Sequence, residues 1–363
     1  MNKKIVFIHQ LNNFSGSPLV LSHVIKVAKK HFESIDLITN GHDGFLNEEN
    51  CKIKILPYKR FDFKFLTLFS FFIYQLRLII LLFNYRKDNV IFYVNTLMPF
   101  SAGIVGFILG NKTIFHFHEA TVNNFIKFIA KKIISISSYK NIFVSNFLFE
   151  QENIKSIKSE VIYNTLSNEF AKKALSTPFI IDEKIYVLML CSLRKYKGVD
   201  SFIEISKLCS KYPLIQFELI VDANSNQIKK YFGNIDDLKN LKIYSGSKTK
   251  IHNHFKKANI LLNLSDKNEW IETFGMTILE GMAYGIPSIT PEVGGPIELV
   301  EDHINGFNID SYNVEKISST IIRLYKNPNE LKQLSDASRK KFYEFEFSIF
   351  ENKMDRFFKD LKS

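Results

Sequence analysis

Short apolar runs alternate with helical stretches along almost the whole chain, in two series separated by a less periodic segment near the middle. In the first series Lys4–His9, Ser34–Thr39, Cys51–Leu56, Val90–Asn95, Thr113–His118, Asn141–Ser145 and Val161–Tyr163 read as strands. Ser17–His31, a stretch running to Gly110 and Asn124–Ser135 read as helices between them. In the second, Tyr186–Cys191, Gln216–Val221, Lys242–Ser245, Ile260–Leu264 and Pro287–Thr290 read as strands. Gly198–Lys211, Ile251–Lys257, Thr277–Ala283 and Pro296–Val300 read as helices. Buried strands alternating with helices imply a parallel sheet covered on both faces. The expected class is therefore α/β, with two doubly wound, Rossmann-like domains. Residues 1–166 form the first, 167–183 a linker marked by Ser176, Thr177 and Pro178, and 184–341 the second. Residues 342–363 are an aromatic C-terminal helix. Ligands of such sheets bind beyond the carboxyl ends of the strands, so the two sheets are expected to face a central cleft.

Composition narrows the function classes. Of 363 residues, 46% are hydrophobic and 23% charged, which excludes a disordered chain. Cys51, Cys191 and Cys209 lie far apart with no CxxC, which excludes a disulfide scaffold and a thiolate zinc site and fits a reducing cytoplasm. The first apolar stretch, Ile5–Ile8, is too short for a signal-peptide core, so export is not expected. Neither GxGxxG nor GxxxxGK[ST] occurs, which argues against dinucleotide redox and ATPase readings. The net charge of +11 is uneven: residues 1–165 hold 20 basic and 11 acidic side chains, a net of +9. That half should face something anionic. Nucleic acid is not the expected partner, because no recognition motif accompanies the charge.

Phe61–Arg86 is the most apolar segment. Gln75 and Arg77 interrupt it, and Arg60, Lys64, Arg86 and Lys87 flank it. It reads as a core helix of a soluble domain, with an interfacial helix as the alternative and a membrane span as the third.

The chemistry concentrates at residues 272–280, Glu-Thr-Phe-Gly-Met-Thr-Ile-Leu-Glu. Two carboxylates straddle a Phe-Gly turn that opens a helix. Glycine lets backbone approach a ligand, helix-start amides suit phosphate, and ionised carboxylates accept from sugar hydroxyls. Glu272 precedes the helix and Glu280 lies inside it.

The run Glu272–Phe307, which continues as EGMAYGIPSITPEVGGPIELVEDHINGF from Glu280, resembles the retaining glycosyltransferases of family 4, which have the GT-B fold. The resemblance is to members of bacterial surface-polysaccharide and lipopolysaccharide pathways. It implies an acceptor-side domain over 1–166, a nucleotide-sugar-binding domain over 184–341 and a last helix that crosses back to the first domain. It also implies a nucleotide-diphosphate sugar as co-substrate, with no other cofactor. Lys197 matches the family lysine that holds the donor diphosphate. Ser192 stands where the family has its usual arginine, with Arg194 as the substitute. Phe274, Gly275, Met276, Gly294 and Gly295 are the matched donor-site backbone, with Pro296 opening the next helix. Gly16 sits in the first loop, where the family often has two glycines. His118, at a strand end beside Glu119, matches the family histidine near the reacting sugar. Asn95, Ser145, Asn146 and Asn164 match further stretches of the site.

The resemblance implies hexosyl transfer with retention, into O-antigen, lipopolysaccharide or capsule. Glu272 would orient the sugar, Glu280 the ribose and His118 a sugar hydroxyl. Lys197 and Arg194 would stabilise charge on the leaving diphosphate. No Asp-X-Asp occurs, so no metal is expected. The acceptor is a glycan or a lipid-linked glycan. Lys52, Lys54, Lys59, Arg60 and Lys64 mark a face for an anionic membrane, at the inner side of the cytoplasmic membrane. Two alternatives stay open: an epimerase or phosphorylase on the same fold, and an inactive membrane-associated partner or scaffold.

Overall fold

A computed structural model describes residues 4–47, 51–61, 63–120, 123–233, 238–246 and 251–362. The chain divides into two compact units, Met1–Asn164 with Ser348–Ser363, and Thr165–Phe347.

Unit one runs β1 (Lys4–Ile8), α1 (Gly16–Ala28), β2 (Ser34–Thr39), β3 (Lys52–Ile55), α2 (Lys64–Leu82), β4 (Val90–Asn95), α3 (Ser101–Leu109), β5 (Thr113–Phe117), α4 (Asn124–Ser137), β6 (Lys140–Phe143), α5 (Asn146–Glu152) and β7 (Ser159–Val161). The sheet order is β3-β2-β1-β4-β5-β6-β7 and every described pairing is parallel. Ile5 pairs with Ile35 on one side and Ile91 on the other. All six residues of β4 are buried, as a strand covered on both faces requires.

Unit two runs α6 (Asn168–Leu175), β8 (Ile185–Ser192), α7 (Val199–Leu208), β9 (Ile215–Asp222), α8 (Ser225–Phe232), β10 (Leu241–Ser245), α9 (Ile251–Lys257), β11 (Ile260–Leu262), α10 (Met276–Ala283), β12 (Ser288–Thr290), α11 (Pro296–Leu299), β13 (Gly306–Asn308), α12 (Val314–Lys326) and α13 (Pro328–Phe342). Its sheet, β10-β9-β8-β11-β12-β13, is also parallel throughout. The segment read as a linker begins with a helix, α6, whose first turn is capped by the Ser167 hydroxyl accepting from Phe170 N–H at 3.2 Å. Eight residues were too few to show the period in the sequence.

The chain then enters α14 (Phe347–Lys362), which from Ser348 onward belongs to unit one. Its residues Met354, Phe357, Phe358 and Leu361 are buried. Phe358 meets Phe32 edge-on at 5.5 Å, and Lys112 Nζ donates to Leu361 O at 2.8 Å.

Helix α2 departs from the core-helix expectation. Phe71, Tyr74, Gln75, Leu78 and Leu82 are buried, but Phe65, Phe69, Phe72, Leu76 and Ile80 are exposed. Most of the helix is apolar, with Arg77 exposed among the apolar side chains, and unit one covers one side of it.

Candidate functional site

In each sheet the first strand lies beside one that is not its sequence neighbour, β1 beside β4 and β8 beside β11. The chain reverses its winding direction at those points, and ligands of doubly wound sheets bind there, beyond the carboxyl ends. Both points carry clustered polar groups.

In unit two, a 3-10 turn, Lys195–Lys197, follows β8. It ends at Gly198, whose φ of +74° is the left-handed conformation that glycine adopts without strain. A Cβ there would lie 2.2 Å from Leu264 O, so the turn sits directly on the backbone leaving β11. Asp266 N–H donates to Tyr196 O at 2.8 Å and joins the two loops. Lys197 Nζ consequently donates to Glu272 Oε2 at 2.8 Å and lies 3.5 Å from Ser265 Oγ. It also sits 5.3 Å from the Trp270 ring centre, and Trp270 stacks on Tyr196 at 5.2 Å. The two charged side chains are only 17% and 22% exposed. Such a pair is less screened than a surface ion pair, and removing one partner leaves the other charge poorly solvated.

The loop after β12 braces Glu272. Gly295 N–H donates to Glu272 O at 2.9 Å. A Cβ on Gly294 would lie 2.4 Å from Glu272 O, and one on Gly295 would lie 2.2 Å from Thr273 O. The Gly-Gly pair thus lets two backbones touch. Gly275, at φ +106°, opens α10. The first amides of that helix have no intrahelical acceptor and can face an anion. Met276 is its first residue and Glu280 lies one turn further, both half-buried. Burial and then the Glu280 charge push the Tyr284 hydroxyl up to about 12. Phe274 is a packing residue: its ring is buried against Phe345 at 6.1 Å. Ser192 ends β8 and is half-buried, and Arg194 is exposed two residues later.

Unit one places a second cluster at the β1–β4 boundary. Asn95 Nδ2 donates to Ser17 O at 3.1 Å and lies 3.1 Å from His9 Nδ1. Asn95 Oδ1 is 2.9 Å from His118 Nε2. His116, on the same side as His118 with ring centres 4.2 Å apart, lies 2.9 Å from the Tyr93 hydroxyl. Burial holds His9 down at about 4 and His116 at about 3. Burial, with His116 and His9 adding to it, holds His118 well below the usual histidine range. All three are neutral at pH 7, so His118 can exchange hydrogen bonds but carries no charge. Burial pushes the Glu119 carboxyl up to about 7. Thr96, next to Asn95, adopts φ +79°, a strained conformation for a β-branched residue. Gly16 is the half-buried first residue of α1. Ser145 caps α5 by accepting from Leu148 N–H, and Asn146 Nδ2 donates to Tyr163 Oη at 2.5 Å. Asn164 is buried.

The structure therefore brings Lys197, Glu272, Gly275, Gly294 and Gly295 together in unit two. His118 and Asn95 share one hydrogen-bonded cluster in unit one. Sequence reasoning missed Trp270 and His9. Trp270 was findable as the single tryptophan, two residues before Glu272. His9 ends the first strand and carried no motif.

Residues 171–341 match the family model of glycosyl transferases group 1. That region is a little under half of the chain and contains the Lys197–Glu272 cluster. Sucrose synthase of Thermosynechococcus vestitus is 37% identical over 76 residues, 20% of this chain and 9% of the relative. The chain thus spans about a tenth of the length of the curated relatives it matches. Solved structures match over nearly the full length. The Anabaena protein HepE in complex with UDP-glucose superposes with a TM-score of 0.77 at 17% identity, over 98% of this chain and 99% of that one. The lipopolysaccharide outer core galactosyltransferase WaaB gives 0.71 at 17% identity, over 99% and 100%. The fold, two doubly wound parallel-sheet units of the GT-B class, is the one expected from the sequence.

Proposed function

We propose that the protein is a retaining glycosyltransferase that moves a sugar from a nucleotide-diphosphate sugar to a glycan or lipid-linked acceptor in bacterial surface-polysaccharide synthesis. The observation that carries the reading is the Lys197–Glu272 pair, set at the winding reversal of unit two and braced by Gly294–Gly295. A cation, helix-start amides and a carboxylate within one loop cluster suit the diphosphate and the hydroxyls of a nucleotide sugar. HepE, a structural neighbour, binds UDP-glucose, and WaaB is a lipopolysaccharide enzyme.

In this reading Lys197 takes the leaving diphosphate, with Arg194 as a second cation, and Glu272 orients the sugar. Charge grows on the diphosphate as the glycosidic bond breaks, and fixed donors aimed at it lower the barrier. Glu280 accepts from the ribose. His118, neutral and held by Asn95, takes a sugar hydroxyl. The acceptor attacks on the face the diphosphate leaves, and the diphosphate takes its proton. The sequence has no Asp-X-Asp, which favours a metal-free donor site. The net charge of +9 over residues 1–165 favours a place at the inner face of the cytoplasmic membrane.

Thermal unfolding with UDP, GDP, dTDP, CMP and NAD, each with and without EDTA, tests the reading. One nucleoside diphosphate is expected to raise the melting temperature by mass action, unchanged by EDTA. A shift with NAD alone, or one abolished by EDTA, would overturn it.

A further inference from the structure

The outer side of α2 is unexplained by the site above. Eighteen consecutive residues within Phe65–Tyr85 have a mean hydropathy of 2.0, yet only 28% of them are buried. Phe65, Phe69, Phe72, Leu76 and Ile80 recur at spacings of four, three, four and four, which is one helical stripe. Phe65 is 77% exposed, Leu76 62% and Ile80 71%. At ~1.5 Å per residue the stripe is about 22 Å long. An apolar patch of that kind on an outer surface marks an interaction.

Charge identifies the partner. Beside the stripe lies a cavity of ≈ 830 Å³ lined by Lys59, Arg60 and Arg77 together with Leu66, Phe69 and Ile73. Three cations meet apolar walls, with no acidic side chain among the lining residues. Phe69 belongs to both the stripe and the cavity. A wall that is cationic and apolar at once matches a molecule with an anionic head and a hydrocarbon tail. Helix α4 repeats the pattern: Phe125, Phe128, Lys132 and Ile136 are exposed along one stripe, and α3 packs against both helices. Lys52 is exposed nearby in sequence, whereas Lys54 is turned to Asp36 at 3.5 Å, and the Lys64 side chain lies outside the described ones.

We propose that the outer stripe of α2 lies in the interfacial layer of an anionic membrane and that the adjoining cavity receives the phosphate-bearing head of a lipid. The helix docks and does not span. Its inner side is tied to unit one by Gln75 Nε2 donating to Met98 O at 2.6 Å and by Phe71 against Phe100. Ser101 N–H also donates to Gln75 Oε1 at 3.2 Å. Spanning would break these bonds and bury Arg77 in hydrocarbon. The docking stands on this geometry, and only the cavity's service as an acceptor site rests on the transferase reading.

The test is co-sedimentation with phosphatidylcholine vesicles and with vesicles half phosphatidylglycerol, at low and high salt. The protein should bind the anionic vesicles and be released by salt. Arg60→Ala with Arg77→Ala should weaken binding about fivefold per cation. Leu76→Ser with Ile80→Ser, away from the cavity, should weaken it roughly tenfold or more. Melting temperature and the nucleoside-diphosphate shift of both variants should match wild type, which separates failure of docking from failure of the donor site. Equal binding by wild type and either folded variant would overturn the proposal. So would no vesicle binding at low salt, or a wild-type dimer that the Leu76/Ile80 variant dissolves, since a second copy would then cover the stripe.

Discussion

Gly198→Ala is the most informative single change in unit two. Gly198 has φ +74° and ψ 26°, and a non-glycine residue pays ~1–2 kcal/mol to hold that conformation. The added methyl would lie 2.2 Å from Leu264 O and 2.4 Å from Leu264 Cβ. Both neighbours are at or next to backbone, so the loops must separate, at ~1–3 kcal/mol more. Gly110 is the control. It has φ +68° and ψ 21°, with nothing within 4 Å of a Cβ, so Gly110→Ala carries the conformational cost alone. A unit of this size loses ~2–4 °C per kcal/mol, so Gly198→Ala should lower the unit-two transition by roughly 5–15 °C. Calorimetry of the two variants measures this. Lys197 precedes Gly198, so the displaced turn should also draw Nζ off Glu272 and weaken nucleoside-diphosphate binding. Equal transition shifts for the two variants would refute the close contact. Wild-type nucleotide affinity in Gly198→Ala would refute the link between this turn and the donor site.

Three further outcomes are expected. Lys197→Ala should lose both nucleoside-diphosphate affinity and at least about 100-fold in turnover. Glu272→Gln should lose turnover while keeping affinity, since it frees Lys197 from its carboxylate; calorimetric titration and initial rates separate the two. Asn95→Ala should destabilise unit one by ~1–3 kcal/mol in a denaturant titration, because it strips partners from buried His118 and Ser17 O. His9 and His116 have folded values of about 4 and about 3, below the ordinary 6.5. The unfolded chain therefore binds more protons between those limits. Their contribution is complete above pH 6.5 and is lost as pH falls toward 4 and 3, at ~1.4 kcal/mol per unit for each group. Glu119, raised to about 7, opposes this between pH 4.5 and 7. The melting temperature followed from pH 7 to 4 should fall, and fall less steeply in His116→Asn.

The strands were legible because buried parallel strands leave unbroken apolar runs, as in β4. The Glu272–Gly295 cluster was legible because its glycines and carboxylates sit at fixed offsets in one stretch. Helix α2 misled because a sequence reports that residues are apolar, not what covers them. Gln75, which looked like an interruption, is the residue that ties the helix down. The Asn95 cluster was only partly visible. It joins His9, Ser17 and His118, which are separated by up to 109 positions, and no local pattern reports such a meeting.

Unit one is assembled from two stretches of chain with 183 residues of another unit between them. During synthesis, the pocket that Met354, Phe357, Phe358 and Leu361 fill stays open until those residues emerge. Phe32 and Tyr93 are left wetter in that interval than they ever are in the finished molecule. Unit two is contiguous and can close as soon as it is made, whereas unit one must wait for a contact across more than three hundred positions, such as His31 with Asp355. Unit two therefore matures before the unit that carries the exposed apolar helix. Removing residues 348–363 would leave unit two folded and unit one sticky and unfinished.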